Sequence, residues 1–223
     1  MQKLLFSRED PFNLVSSKKI LNFLNTESLW HYKNNSLYKN SLSSKDNFNF
    51  PDGRFIASKL KVMQRRGPTF TRSFLLSSLA KTKKHFFICN YSVEEISKAT
   101  KINKKYLFVY PLPFISGFSF SDKDRNKVIE KLKLFSPDFV WVGIGAPKQE
   151  ILSNQLYLKY KCTYINIGAG IDFLLNKKSE APKIFIKLRL EWFYRLLTDF
   201  KRSRKKVYRS IVGLRYLRYI TIK

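Results

Sequence analysis

The sequence predicts an α/β fold: a Rossmann-like, mostly parallel sheet flanked by helices, with a basic helical C-terminal appendage. Three observations predict it. From His85 onward, short apolar runs alternate with segments of helical spacing, the pattern of βαβ units whose strands are buried on both faces. Two of the apolar runs end in paired glycines, Gly143/Gly145 and Gly168/Gly170. The stretch from Lys183 to Lys223 holds 13 basic residues against two acidic ones, with aromatics interleaved.

In chain order, residues 1–50 are polar and rich in Asn, Ser and Lys. Ile20, Leu21 and Leu24 have helical spacing, so a helix is expected within Ser16–Trp30. Tyr32–Asn49 lacks a period and reads as a loop. Pro51-Asp52-Gly53 reads as a turn, and Arg54–Met63 as a helix with Phe55, Ile56, Leu60 and Met63 on one side. Strands are expected at Phe86–Ile88, Tyr106–Tyr110, Asp138–Val142 and Thr163–Ile167. Helices are expected at Val93–Thr100, Asp122–Phe135 and Pro147–Tyr160. Right-handed crossovers then place every strand C-terminus on one edge of the sheet, where ligands of such sheets bind. Near the C-terminus, Leu188, Trp192 and Leu196 share a helix face. The basic cluster Lys201–Lys206 precedes Val207, Ile211, Leu214 and Leu217, again at helical spacing. The expected division is a core over 1–182 and an appendage over 183–223.

The chain has 223 residues, of which 44% are hydrophobic and 16% aromatic. That excludes a largely disordered protein and suffices for one α/β core. With 43 basic and 16 acidic side chains the formal charge is +27, which implies an anionic partner: nucleic acid, an anionic membrane or phosphorylated substrates. Two cysteines, Cys89 and Cys162, and two histidines, His31 and His85, show no zinc-ligand spacing. Both cysteines read as small buried residues, in keeping with a reducing cytoplasm. The first ten residues become charged before an apolar stretch develops, so no signal peptide is expected. The longest apolar run, Leu107–Phe118, is interrupted by Pro111 and Pro113 and falls short of the roughly 20 residues a spanning helix needs.

Four segments have the makings of chemistry. In Val142–Glu150 a strand runs into Gly143 and Gly145, then Ala146, then Pro147 at the expected first helical position. A helix N-terminus there offers unpaired N–H groups to a diphosphate, with Lys148 and Gln149 as side-chain contacts. An ordinary strand-to-helix connection fits the same residues. In Asn166–Asp172, glycines again end a strand, and Asp172 is placed either to bond a ribose or base or to cap a helix. Asp52 before Gly53 is ordinary turn chemistry, and is also a carboxylate able to act as general base. The C-terminal tract suits anionic lipid, nucleic acid or plain solvation.

Taken together these blocks resemble glycosyltransferase family 26, the WecG/TagA/CpsF group. The matching stretches are Pro51-Asp-Gly53, Arg66-Gly-Pro68, Pro137-Asp138 through Trp141–Glu150, Ile167–Phe173, Ala181-Pro182 and Glu191–Leu197. They occur in the family's order across roughly residues 20–210. The resemblance implies inverting transfer of an N-acetylmannosamine-type sugar from a UDP-sugar to a polyprenyl-diphosphate-linked acceptor. No metal motif is present in the sequence, so no metal or other cofactor is expected, and arginines and a helix dipole are expected to take the place of a cation. The resemblance implies Asp52 as general base, with Asn25 beside it. It places Gly143, Gly145, Ala146, Pro147, Lys148, Gln149, Glu150, Gly168, Gly170 and Asp172 around the nucleotide. It also implies a basic C-terminal segment that binds the inner face of the cytoplasmic membrane and brings arginines to the diphosphate, here Arg195, Arg202 and Arg209. Departures are Phe23 where the family has Thr, Gln64 where it has Arg, and Asp199-Phe200 where Glu-Pro is frequent. A nucleic-acid-binding protein and an inactive family member are the competing readings.

Overall fold

The computed structural model describes residues 3–112, 120–178, 185 and 200–223, the side chains of the last stretch from residue 204 onward. The expected strand and helix at Tyr106–Tyr110 and Val93–Thr100, and those that follow, frame a six-stranded sheet. Its order is β3-β2-β7-β6-β4-β5, with every neighbouring pair parallel. The strands are β2 (Ile20–Leu24), β3 (Asn47–Pro51), β4 (His85–Ile88), β5 (Leu107–Tyr110), β6 (Phe139–Val142) and β7 (Thr163–Asn166). A separate parallel pair joins β1 (Leu4–Phe6) to β8 (Ile220–Ile222).

Alternation along the strands sorts the core. Leu21, Phe23, Phe87, Trp141 and Ile165 face one side. There they meet α4 (Gly67–Leu76), α6 (Val93–Thr100) and α9 (Gly170–Leu174). Ile20, Phe86, Ile88, Val140, Val142 and Tyr164 face the other. They pack under α7 (Asp122–Phe135) and α8 (Lys148–Tyr157). The boundaries of α6 and α7 follow from their caps. Ser92 and Glu95 form a capping box, and Ser121 Oγ accepts from the Asp124 N–H. Short helices complete the first half: α1 (Thr26–Asn34), α2 (Ser36–Ser43), α3 (Arg54–Leu60) and α5 (Ser78–Lys81). Both cysteines are buried and unpaired in a disulfide.

Two expectations in the first fifty residues are corrected. Ile20–Leu24 is not helical; it is β2, paired on both sides and buried throughout. Tyr32–Asn49 is not a loop; it contains the end of α1, all of α2 and most of β3. The cause is a buried asparagine network. Asn22 on β2 donates to Asn47 and Asn49 on β3 at 2.8 and 2.9 Å, and accepts from Asn166 on β7 at 2.6 Å. Asn47 donates to Asn154 on α8, and Ser153 on α8 donates to Asn166. Residues that look like loop polarity in the sequence are satisfied partners across three strands. The network also ties α8 to the sheet.

The C-terminal segment forms α10 (Phe200–Gly213), then a 3-10 stretch over Leu214–Tyr219, then β8. Helix α10 packs along α1. Gly213 permits this approach: a Cβ there would stand 1.9 Å from the Thr26 carbonyl oxygen. The expected helix around Glu191–Leu197 and the Ala181-Pro182 start lie outside the described residues. Among the described residues no helix is long and apolar enough to cross a membrane.

Candidate active-site cleft

Because the sheet is parallel, the C-termini of its strands share one edge. Asn25 follows β2, Asp52 follows β3, Gly143 follows β6 and Ile167 follows β7. A cavity of about 470 Å³ opens there, walled on the far side by Lys206, Val207, Ser210, Ile211 and Leu214 of α10 and the turn after it. Of the residues predicted from sequence, Asn25, Asp52, Gly145, Ala146, Gln149, Glu150 and Gly168 line this cleft together.

Asp52 is held firmly. Its N–H donates to Leu24 O at 2.9 Å. Its Oδ1 accepts from the Gly67 N–H at 3.0 Å, in the first turn of α4. Gln64 Nε2 donates to its carbonyl oxygen. The turn reading and the carboxylate reading therefore coexist: the backbone turns the chain while the side chain reaches the cleft. Asn25 is the N-cap of α1, its Oδ1 accepting from the Ser28 N–H and the Ser28 hydroxyl.

The β6–α8 and β7–α9 loops form the opposite wall. Gly145 and Gly168 adopt φ of +84° and +52°, a region that costs a residue with a Cβ. Gly143 lies behind them, where a Cβ would meet the Gly168 carbonyl at 3.3 Å. Gln149 joins the two loops. Its Nε2 donates to Glu150 Oε1 at 2.8 Å, and its Oε1 accepts from the Gly168 N–H at 2.9 Å. Glu150 is 1% exposed, and burial pushes its carboxyl up to about 7. Pro147 is not in the first turn of α8 as expected. It is the N-cap residue, after a cis Ala146–Pro147 peptide, and neither it nor Lys148 lines the cleft.

Gly170 and Asp172 stand outside the cleft. Gly170 allows α9 to approach α4, since a Cβ would stand 2.7 Å from Thr71 Oγ1. Asp172 does not cap α9, whose N-cap is Ala169. Its carboxylate accepts from the Tyr91 hydroxyl at 2.8 Å and pairs with Lys178. Burial, then this bond, pushes the Tyr91 hydroxyl's pKa up. Of the three tail arginines, Arg195 and the side chain of Arg202 lie outside the described residues. Arg209 pairs with Glu27 at 3.5 Å and sits over the Trp30 ring at 5.0 Å. Sequence reasoning missed Lys206, which is exposed on the cleft wall; one lysine among so many basic residues carries no local signal. Arg66 also lines the cleft, and its Arg-Gly-Pro block was the available signal. Among the described residues no cluster of His, Cys, Asp and Glu is arranged to hold a metal ion.

Two of the similar proteins come from Staphylococcus aureus, strains NCTC 8325 / PS 47 and COL. Each is named N-acetylglucosaminyldiphosphoundecaprenol N-acetyl-beta-D-mannosaminyltransferase, and each is 35% identical over 96 residues. The aligned stretch spans 42% of this chain and 37% of the relative. A profile of one family covers far more, residues 11–221, and so takes in the whole cleft together with the helix that walls it. The chain belongs to the glycosyl transferase WecG/TagA/CpsF family.

Proposed function

We propose that the cleft moves a sugar from a UDP-sugar to a polyprenyl-diphosphate-linked glycan, in the making of a cell-surface or exported polysaccharide. One observation carries the reading: a held carboxylate, Asp52, and the N-terminal turn of α8 line the same cavity. A base and an anion cradle then face one another across space for a sugar. The names of the S. aureus relatives support an N-acetylmannosamine-type donor and a lipid-linked N-acetylglucosamine acceptor.

In this reading Asp52 takes the proton from an acceptor hydroxyl as that oxygen attacks the anomeric carbon. The bond to UDP breaks on the opposite face, its electron pair leaves with the diphosphate, and the anomeric configuration inverts. N–H groups following Gly145, with Lys206 across the cleft, offset the charge that develops. A well-placed donor contributes about 3 kcal/mol to such a step. Arg195 and Arg202 serve the same charge, and Arg209 does so on release from Glu27. The reaction calls on no resident metal or other cofactor and on no nucleic acid. Residues 1–182 act as the catalytic core. Residues 183–223 complete the cleft and bring the chain, as a peripheral protein, to the anionic cytoplasmic face of the membrane.

The test is UDP release across a panel of UDP-sugars, with and without a lipid-linked N-acetylglucosamine acceptor in vesicles. The expected result is release that needs both one donor and the acceptor. Release from no donor, or release indifferent to the acceptor, overturns the proposal.

A further inference from the structure

The floor of the cleft holds a carboxyl group that the mechanism above does not use. Glu150, in the first turn of α8, lines the cavity yet is 1% exposed. Its Oε1 receives the Gln149 amide, and Gln149 in turn receives the Gly168 N–H. Through this pair the two glycine loops that face the donor are fixed to each other. Among the described residues, Glu150 Oε2 is buried with no hydrogen-bond partner. A buried carboxylate oxygen left so is costly, and the cost vanishes for the protonated form.

Arg54, Arg66 and Lys206 line the same cavity, but none of them is among the causes that shift the Glu150 carboxyl. Burial raises the Glu150 pKa most; hydrogen bonds from the Gln149 amide and from its own backbone N–H lower it, and a second carboxylate, Glu27 of α1, raises it further. Tyr38 of α2 is the other titratable group coupled to Glu150, and burial holds its hydroxyl pKa well above the ordinary value. His31 of α1 lies 3.7 Å from Glu27. Arg209 of α10 is likewise placed on Glu27 and Trp30. Among the described residues no cation is paired with Glu150. The balance leaves its carboxyl at about 7, so either protonation state is reached at little cost near neutrality.

A nucleotide-sugar diphosphate brings two negative charges to the wall formed by Gly145 and Gly168, beside this carboxyl. Like charges in a site of low dielectric raise the pKa of the weaker acid. We propose that Glu150 is a positioning residue for the nucleotide sugar, holding Gln149 through Oε1 and taking up one proton from solvent on Oε2 as the diphosphate enters the cleft. The O–H bond formed there is the only covalent change; the donor is unaltered. This inference rests on the reading of the cleft as a nucleotide-sugar site.

Titration calorimetry of the full chain with UDP-N-acetylmannosamine tests it. That donor's diphosphate is a diester and does not itself titrate near neutrality. At pH 7.5, binding enthalpies in two buffers of different ionisation enthalpy should differ, by an amount approaching one proton per donor bound. The difference should fade at pH 5.5, where Glu150 is already protonated. Above pH 7 the affinity should weaken with pH, by at most about tenfold per unit. Glu150→Gln keeps an oxygen for the Gln149 amide; it should bind without proton uptake and with affinity independent of pH from 6 to 8.5. Glu150→Ala breaks the bridge and should bind more weakly at every pH. Binding by the parent with no buffer dependence overturns the inference alone, whatever the variants do. Undiminished uptake in Glu150→Gln does so too. Absence of binding by any UDP-sugar overturns it together with the reading of the cleft.

Discussion

His85 and Glu150 are both buried titratable groups, placed at opposite edges of the same sheet, and they are treated in opposite ways. His85 opens β4 at the N-terminal edge, among Phe74, Phe139 and Trp141. Both of its ring nitrogens are occupied: Nε2–H donates to Ala80 O at 2.9 Å, and Nδ1 accepts from the Trp141 indole N–H at 3.0 Å. Only the neutral ring satisfies both partners, and burial drives its pKa down to about 4. Glu150, at the C-terminal edge, has one oxygen occupied and one not. The N-terminal edge closes its polar groups and becomes scaffold. The C-terminal edge leaves one open, where a ligand's charge is able to act on it.

The largest expected effect removes the base while keeping the scaffold. Asp52→Asn retains an oxygen for the Gly67 N–H, so the variant should stay folded, with the far-UV circular dichroism of the parent. Its turnover in the UDP-release assay should fall by roughly 100- to 10,000-fold. Full turnover would remove Asp52 from the role of base.

The contrast between the two buried groups should appear in stability against pH. His85 has a folded pKa below its unfolded one, so its contribution is present above about 6.5 and lost as pH falls toward 4. Glu150 has a folded pKa above its unfolded one, so its contribution is present below about 4.5 and lost as pH rises through 7. Each amounts to about 3 kcal/mol at most. Urea unfolding at pH 5, 6 and 8 checks the signs. Glu150→Gln should gain on the parent between pH 5 and 8, whereas His85→Ala should lose stability at pH 8 through an orphaned indole N–H and a cavity. A parent and a Glu150→Gln curve that run parallel would mean the carboxyl does not titrate there.

The smallest effect concerns the cleft wall. Gly213→Ala forces α10 away from the Thr26 carbonyl, at a cost of roughly 1–3 kcal/mol. The widened cleft should raise the donor KM several-fold, measured by UDP release, while the pH dependence of stability stays as in the parent. An unchanged KM would separate α10 from donor binding.

The second half of the fold is legible in the sequence because its signals are local. Ser92 with Glu95 and Ser121 with Asp124 punctuate helices, and apolar runs such as Phe139–Val142 stand between them. The first half hides its strands because Asn22, Asn47 and Asn49 look like loop residues until their partners on other strands are known. The cleft divides the same way. Gly145, Gln149 and Asp52 are marked by glycines and turn chemistry beside them. The unpartnered oxygen of Glu150, the Arg209–Glu27 pair and the position of Lys206 depend on contacts between residues far apart in the chain, which no local pattern encodes.

The pairing of β8 with β1 sets an order of events during synthesis. The six-stranded sheet has all its strands once residue 166 has emerged, and with them the loops that carry Asp52 and Gln149. The helix that walls the cleft comes more than thirty residues later, and the strand that anchors its end to β1 follows that helix. Chains grow and fold from the N-terminus at a finite rate, so a nascent molecule passes through a stage with a complete sheet and an open cleft. The cleft therefore gains its far wall only after the sheet and the two glycine loops are in place, so the helix closes over a surface that is already built.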